Sequence, residues 1–182
     1  IEVNDEIPSQ VTYNTNSFVE TVGTAMTAET PTSAGGVVLT WEIHPTLPAG
    51  LSIDSSTGEI SGTPGVVSPF TTYTIYANNT GGSATATVDI TVNDVIPSDV
   101  DYNPSSFVET MGVGMTAVTP SALGGTVTSW EVHPDLPTGI TIDSSTGEIS
   151  GTPSVLSTFT TYTIYANNTG GSATTTICLL YT

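Results

Sequence analysis

The 182-residue sequence has no lysine and no arginine, against 17 aspartate and glutamate residues, so its formal charge is −17 at pH 7. Cationic side chains are what attract proteins to nucleic-acid phosphates and to anionic membranes. We therefore predict that the protein binds no nucleic acid and does not insert into membranes. Only 9 % of the residues are charged, so we expect a surface of neutral threonine, serine, asparagine and glycine.

Other features are scarce as well. The only cysteine, Cys178, cannot form a disulfide within the chain. No apolar run has the length of a membrane-spanning helix or of a signal peptide. We also find no nucleophile–base set and no phosphate-binding loop, and we predict that the chain is not an enzyme.

The sequence does contain a long internal repeat. The phrase LPAGLSIDSSTGEISGTP, residues 47–64, returns as LPTGITIDSSTGEISGTP at residues 136–153, an offset of 89 residues. The same offset aligns most of the chain without insertion or deletion. A period near 90 is longer than the ~20–50 residues of solenoid repeats. It suits a β-sandwich domain of roughly 100 residues.

The repeat predicts the domain boundaries. We expect a first β-sandwich over residues 7–93, a linker over 94–97 and a second β-sandwich over 98–182. Residues 1–6 match the end of the first repeat. They are predicted to be the last strand and linker of a preceding repeat, or an exchanged N-terminal strand.

Hydrophobic periodicity predicts strands throughout. Residues 72–78 and 83–92 alternate polar with apolar or aromatic residues, as half-buried strands do. Residues 37–43 are predicted to form another strand, with Trp41 in the core. Asparagine and glycine in residues 78–82 favour a hairpin turn. No segment has a sustained helical period, so we predict an all-β fold.

The repeated phrase itself predicts a hairpin-like corner. Leu51 and Ile53 would share one face of a short strand. Asp54 would accept backbone N–H groups in a tight loop, and Gly58 would adopt a left-handed conformation. Asp54 and Glu59 form a pair of carboxylates of the kind that glycosidases use in catalysis. Their place in a tight turn, however, favours a structural role. We expect the same for His44 at a strand end.

The repeated phrase, followed by TYTIYANNTGGSATATVDITV, resembles the immunoglobulin-like, dystroglycan-type cadherin-like domains of microbial surface proteins. The resemblance covers both repeats. It implies two tandem immunoglobulin/cadherin-like β-sandwich domains. It also implies an extracellular, cell-surface location in tandem arrays of adhesins and stalks.

The cadherin resemblance raises the question of calcium. Glu20 resembles the glutamate near the start of a cadherin repeat, and Asn93 with Asp94 resembles part of the interdomain calcium linker. Thr91 and Val95 depart from that pattern, and Ca²⁺ takes six to eight oxygen ligands. Calcium at Glu20, Asn93 and Asp94 is one hypothesis. The alternative is that Asn93 and Asp94 cap a turn.

Two Asn-x-Thr sequons begin at Asn78 and Asn167. They fall in the predicted hairpin turns, which makes both asparagines candidates for covalent glycans. The alternative is that asparagine is present for the turn alone.

The leading functional hypothesis is a structural module, a segment or subunit of a cell-surface stalk, adhesin or filament. Its partners would be copies of itself or neighbouring repeats of the same chain. Assembly could proceed by strand donation. The candidate assembly residues are Ile1, Val3, Cys178, Leu179 and Leu180.

The alternative hypothesis is a carbohydrate- or protein-binding module of a secreted multidomain protein, with a glycan or protein receptor. Its tyrosines could stack on sugars. Most of them, however, alternate into strands as core or cross-strand residues do.

Overall fold

The computed structural model describes residues 5–182, and within that range it contains strands and no helix. The chain divides into two compact units, the first ending at Asn93 and the second spanning Asp94–Thr182. The described part of each unit contains eight strands. The prediction of an all-β chain of two tandem sandwiches is confirmed.

The strands of the first unit are β1 (Pro8–Thr12), β2 (Ser17–Thr21), β3 (Thr32–Gly35), β4 (Thr40–His44), β5 (Leu51–Ile53), β6 (Ile60–Gly62), β7 (Ser68–Asn79) and β8 (Gly82–Asn93). The strands of the second unit are β9 (Pro97–Asp101), β10 (Ser106–Glu109), β11 (Ser121–Gly124), β12 (Ser129–His133), β13 (Ile140–Ile142), β14 (Ile149–Gly151), β15 (Ser157–Asn168) and β16 (Gly171–Tyr181).

Both units have the same two-layer topology. One layer of the first unit is a four-stranded sheet in the order β2-β8-β7-β4. The other layer consists of the antiparallel pairs β1–β3 and β5–β6, and a bridge between Glu29 and Ile60 connects the segment before β3 to β6. The second unit repeats this as β10-β16-β15-β12, with β9–β11 and β13–β14. In each unit the first strand of the four-stranded sheet runs parallel to the last strand of the unit.

The long strands β7 and β8 place one side of the sheet in the core. Ile75 and Ile90 are fully buried, while the residues between the buried positions are partly exposed. The core of the first unit also contains Trp41 and Ile60. Burying each such large apolar side chain contributes about 1.5–3 kcal/mol. The second unit has a core of its own, so each unit has the hydrophobic cluster that an independent domain requires.

The strand predicted over residues 37–43 differs from the one observed. Strand β4 begins at Thr40, and residues 32–35 form a separate strand, β3. The last residue of β3, Gly35, has a φ of +74°. A side chain on Gly36 would overlap the carbonyl group of Glu6. The chain turns here because the segment leading into β1 passes directly against it.

Candidate functional site

The repeated phrase forms the hairpin-like corner that the sequence predicts. One carboxylate oxygen of Asp54 accepts the N–H of Ser56 at 2.7 Å, the hydroxyl of Ser56 at 2.5 Å and the N–H of Thr57 at 2.9 Å. These hydrogen bonds lower the pKa of Asp54 to about 2, with the Ser56 hydroxyl as the largest cause. Asp143 makes the equivalent bonds in the second unit, with the same effect. These carboxylates stabilise their own loops.

The loop of this corner closes over the core. Gly58 has a φ of +76°, and a Cβ atom there would lie 2.6 Å from the ring of Trp41. The buried hydroxyl of Tyr13 donates to the carbonyl of Gly58 at 2.6 Å, and the N–H of Trp41 donates to the carbonyl of Ser55 at 2.9 Å. Burial raises the pKa of Tyr13 well above its usual value. No local pattern in the sequence indicates this role of Tyr13, because its partner lies 45 positions away.

The histidines lie on the exposed side of the sheet. His44 is exposed at the end of β4, and its ring meets that of Tyr76 edge-on with a centroid distance of 5.8 Å. Between residues 5 and 182 there is no group of three or more His, Cys, Asp or Glu side chains placed to hold a metal ion. The arrangement supports the structural interpretation of His44.

The candidate calcium residues are divided between the two units. Glu20 is opposite Val92 in the parallel β2–β8 ladder, and Asn93 is the last residue of β8. Partial burial raises the pKa of Glu20. Asp94 belongs to the second unit, where its N–H donates to the hydroxyl of Thr169 at 3.0 Å. The calcium hypothesis stays a prediction.

Asp94 is also part of an anchored entry segment. Its carboxylate accepts the N–H of the next residue, Val95, at 2.8 Å. The side-chain amide of Asn168 donates to the carbonyl of Val95 at 2.6 Å. In the first unit, Asn79 donates equivalently to the carbonyl of Glu6 at 2.6 Å. In both units, therefore, the turn of the long hairpin holds the segment that enters the domain.

These bonds explain the second asparagine of each Asn-Asn pair. The side-chain oxygen of Asn79 accepts the N–H groups of Gly81 and Gly82 at 2.9 and 3.1 Å. The sequon asparagine, Asn78, is half-buried, and its side-chain oxygen accepts the hydroxyl of Ser83 at 2.5 Å. Asn167 makes the matching bond to Ser172. Glycan attachment at Asn78 and Asn167 stays a prediction.

The candidate assembly residues have different environments. Ile1 and Val3 lie outside the described residues. Leu179 is fully buried in the core of the second unit. Cys178 and Leu180 are half-buried and alternate with it on β16, so they belong to the opposite side of the strand.

The tyrosines are mainly core residues. They do not form an exposed aromatic row of the kind found on sugar-binding surfaces. Five are buried: Tyr13, Tyr73, Tyr102, Tyr162 and Tyr181. Tyr76 and Tyr165 are partly exposed, at equivalent positions of the two units.

The second unit has a groove at the edge of the sandwich. It has a volume of about 370 Å³ and is lined by residues that include Pro104, Phe107 and Val118. In the first unit Glu29 stands at the position of Val118, and its carboxylate accepts the N–H of Thr15 at 3.0 Å. Proline has no N–H to donate, so the second unit needs no such acceptor.

Each unit is thus a two-layer sandwich with a buried tryptophan on its fourth strand, β4 or β12, the architecture of an immunoglobulin-like domain. Both units match the model of the family described as "Putative Ig domain", over residues 3–93 and 97–182. The chain belongs to this family and contains two of its domains.

Curated relatives point to adhesins. The chain is 34 % identical over 139 residues to the "Serine-rich adhesin for platelets" of Staphylococcus aureus strain MRSA252, across 71 % of this chain and 10 % of the relative. It is 32 % identical over 139 residues to the protein of that name from strain USA300, across 71 % of this chain and 6 % of the relative. The chain therefore spans about a tenth or less of the length of these relatives. It is a tandem immunoglobulin-like module related to an adhesin.

Solved structures show the same fold. Sidekick-1 immunoglobulin domains 1–4 match 96 % of this chain and 49 % of that chain, with a TM-score of 0.56 at 14 % identity. Extracellular domains 3–5 of Drosophila OTK match 95 % of this chain and 62 % of that chain, with a TM-score of 0.54 at 14 % identity. At such identities the likeness concerns the fold alone. The described residues include no helix long and apolar enough to cross a membrane.

Proposed function

We propose that the chain is an extracellular structural module, a segment of a cell-surface stalk or adhesin built from tandem immunoglobulin-like domains. The observation on which this rests is the duplication of one entire sandwich in a chain related to an adhesin. Repetition of a whole domain adds length and rigidity, whereas a binding or catalytic site needs to be present once.

The strand order supports a load-bearing role. In the first unit β2 and β8 run parallel, with Ser17 opposite Asp89 and Thr21 opposite Asn93. Strand β2 lies near the start of the unit and β8 at its end. A force that pulls the two ends of the unit apart therefore slides these parallel strands along each other, and the hydrogen bonds between them are loaded together. The second unit has the same parallel pairing between β10 and β16.

The connection between the units supports stiffness. Asn93 is bonded within the first unit, where its carbonyl accepts the N–H of Val22 at 2.9 Å. The next residue, Asp94, is bonded to Thr169 of the second unit. No unbonded residue separates the two domains along the chain. Pro97, whose φ is fixed by its ring, follows shortly after. We infer that such a connection restricts bending.

Single-molecule force spectroscopy on the 182-residue chain tests this function. We expect two unfolding events, one for each domain. Val22→Pro removes the N–H that bonds to Asn93, so it should lower the unfolding force of the first domain and leave the second unchanged. Val19→Pro is the matched control. The carbonyl of residue 16 and the N–H of residue 22 bond to β8. Backbone groups alternate in direction along a strand, so those of residue 19, three positions from each, point away from β8. Equal weakening by both variants would contradict the shear mechanism.

A binding module is the second candidate. Glu42 is directly opposite Tyr76, and His44 contacts the Tyr76 ring. A partly exposed ring beside a carboxylate could receive a sugar or a receptor side chain. The name of the staphylococcal relatives adds platelets as a surface to test. Binding of the chain to platelets or to a glycan array, and its loss in Tyr76→Ala, would support this candidate. Absence of binding in both assays would exclude platelets and the glycans of the array as targets.

Strand donation and catalysis have less support. The donor residues proposed for strand exchange, Ile1 and Val3, lie outside the described residues, so this mode of assembly stays a hypothesis. We propose no catalytic role, because the paired carboxylates and the histidines contribute to loop and sheet contacts.

A further inference from the structure

The outer face of the four-stranded sheet differs between the two units at one end. We use "outer face" for the side of the sheet that points away from the core. In the first unit, Val19 on β2 is opposite Thr91 on β8, and Phe70 lies beside Thr91 at a bulge of β7. The second unit has Leu180 where the first has Thr91. The pairing registers are the same in both units.

This exchange completes an apolar row. Val108, Leu180 and Phe159 lie side by side across β10, β16 and β15, and we call these three residues the apolar row. Val108 is 65 % exposed and Phe159 is 58 % exposed. Leu156, just before β15, is 69 % exposed. Large apolar side chains that are contiguous and exposed commonly mark an interaction surface.

The row of outward residues next to the apolar row is uncharged in the second unit, although it contains a carboxylate in the first. In the first unit Asp89 occupies the centre of that row and accepts the hydroxyl of Thr72 at 2.6 Å. In the second unit Cys178 occupies the same position, beside Thr161. The outward residues of β16 are Ser172, Thr174, Thr176, Cys178 and Leu180, and none is charged. The first carboxylate on this face is that of Glu131, on the far edge strand β12.

We propose that the chain associates with a second copy of itself through the outer face of its second unit, with the apolar row at the centre of the contact. Two chains of formal charge −17 repel each other, and neither has a lysine or arginine to offset the repulsion. Close contact between copies therefore favours a face that is both apolar and free of carboxylates. The β15–β16 half of the outer face has these two properties together. A two-fold axis through the face would pair the apolar row with its own copy, as in an isologous dimer.

Sedimentation equilibrium of the full chain tests the proposal, from about 10 μM to about 1 mM, the range in which weak dimers are measured. We expect a monomer–dimer equilibrium that added salt strengthens, since salt screens the repulsion between the copies. The double variant Cys178→Asp/Leu180→Thr gives the second unit the residues of the first. It should weaken the dimer at least about tenfold.

Matched controls sharpen the test. Thr91→Leu makes the equivalent apolar row in the first unit but retains Asp89, so it should not add a second contact. Circular dichroism and the thermal midpoint check that each variant is folded, and the first unit already accommodates Asp and Thr at these positions. Val108→Thr, on a different strand, should also weaken the dimer.

The proposal is overturned if the chain stays monomeric across the whole range, or if the double variant dimerises as well as the original chain. Capture of a different protein by a strictly monomeric chain would likewise show that the face serves another partner. The force measurement proposed for the structural role is made on single molecules, so either result here leaves it intact.

Discussion

The two units are two versions of one domain that share several structural features but differ in their last strand. The hairpin corner, the anchored entry segment and the tyrosine–glycine bond are the same in both. The last strand is not. Strand β8 ends with Asp89-Ile-Thr-Val-Asn93, whereas β16 ends with Cys178-Leu-Leu-Tyr-Thr182. The shared features are those that close the core of each sandwich. Of these last-strand residues, Cys178 and Leu180 lie on the outer face, where a substitution can change how the surface interacts, whereas Leu179 and Tyr181 lie in the core.

The hairpin corner should be the most sensitive shared feature. Gly58→Ala and Gly147→Ala each place a methyl group against a tryptophan ring, at residues with φ of +76° and +74°. Each substitution should destabilise its own domain by about 2–3 kcal/mol, through overpacking and backbone strain. Urea denaturation followed by tryptophan fluorescence should show one shifted and one unshifted transition. If both transitions move together, the two units do not unfold independently.

The same substitution should have opposite effects at two tyrosines of the second unit. Tyr102→Phe removes the buried hydroxyl that donates to the carbonyl of Gly147 at 2.6 Å, at a cost of about 1 kcal/mol. The hydroxyl of Tyr181 is buried and, among the described residues, has no hydrogen-bond partner. Tyr181→Phe should therefore stabilise the domain by about 1 kcal/mol. Tyr13→Phe serves as the first-unit control for Tyr102→Phe. Destabilisation by both variants would show that the Tyr181 hydroxyl is satisfied in solution.

The tyrosines also predict an alkaline limit to stability. Burial raises the pKa of Tyr181 to about 12, from a usual value of 10. The unfolded chain thus loses the proton at a lower pH than the folded domain. The stabilising contribution is complete below pH 10 and declines as the pH rises from there towards about 12. Tyr181→Phe should flatten this decline in the second domain, which thermal unfolding at pH 9 to 12 would measure.

Asp54 and Asp143 should give equal, smaller effects in the two units. Their hydrogen bonds lower the folded-state pKa to about 2, below the usual 3.8. The stabilisation is therefore present above about pH 4 and is lost as the pH falls towards 2. The difference in thermal midpoint between the original chain and Asp54→Ala should stay constant from pH 7 to about 4 and then narrow. A constant difference down to pH 2 would show that charge plays no part.

The smallest expected effect concerns the groove edge. Glu29→Val leaves the N–H of Thr15 without its carboxylate acceptor, at an exposed site, and should cost the first domain about 0.5 kcal/mol. Val118→Glu in the second domain should change little, because Pro104 offers no N–H. The double variant Thr15→Pro/Glu29→Val should recover the loss. If Val118→Glu stabilises the second domain by as much as Glu29→Val destabilises the first, the hydrogen bond to the N–H of residue 15 is not the cause of the effect.

Much of the fold was predictable because its signals are local. The alternation in residues 83–92 indicates a strand, and the structure extends it by one residue at each end, as Gly82–Asn93. Asp54 and Gly58 form the turn that their types favour. The strand predicted over residues 37–43 was placed incorrectly at its start. The apolar Val37 and Leu39 suggested a continuous strand, yet they are 78 % and 54 % exposed, because contact with the entry segment turns the chain there.

By itself, the amino-acid sequence determined the repeat, the all-β class, the turn at each hairpin corner and the absence of cationic chemistry. All four depend on residue type and near-neighbour spacing. Only the tertiary structure decided which distant groups meet. The hydroxyl of Tyr13 reaches Gly58 across 45 positions, β2 pairs in parallel with β8, and Leu180 joins Val108 and Phe159 in one row. Such contacts depend on how strands are ordered and registered in the sheet, which periodicity along a single strand does not encode.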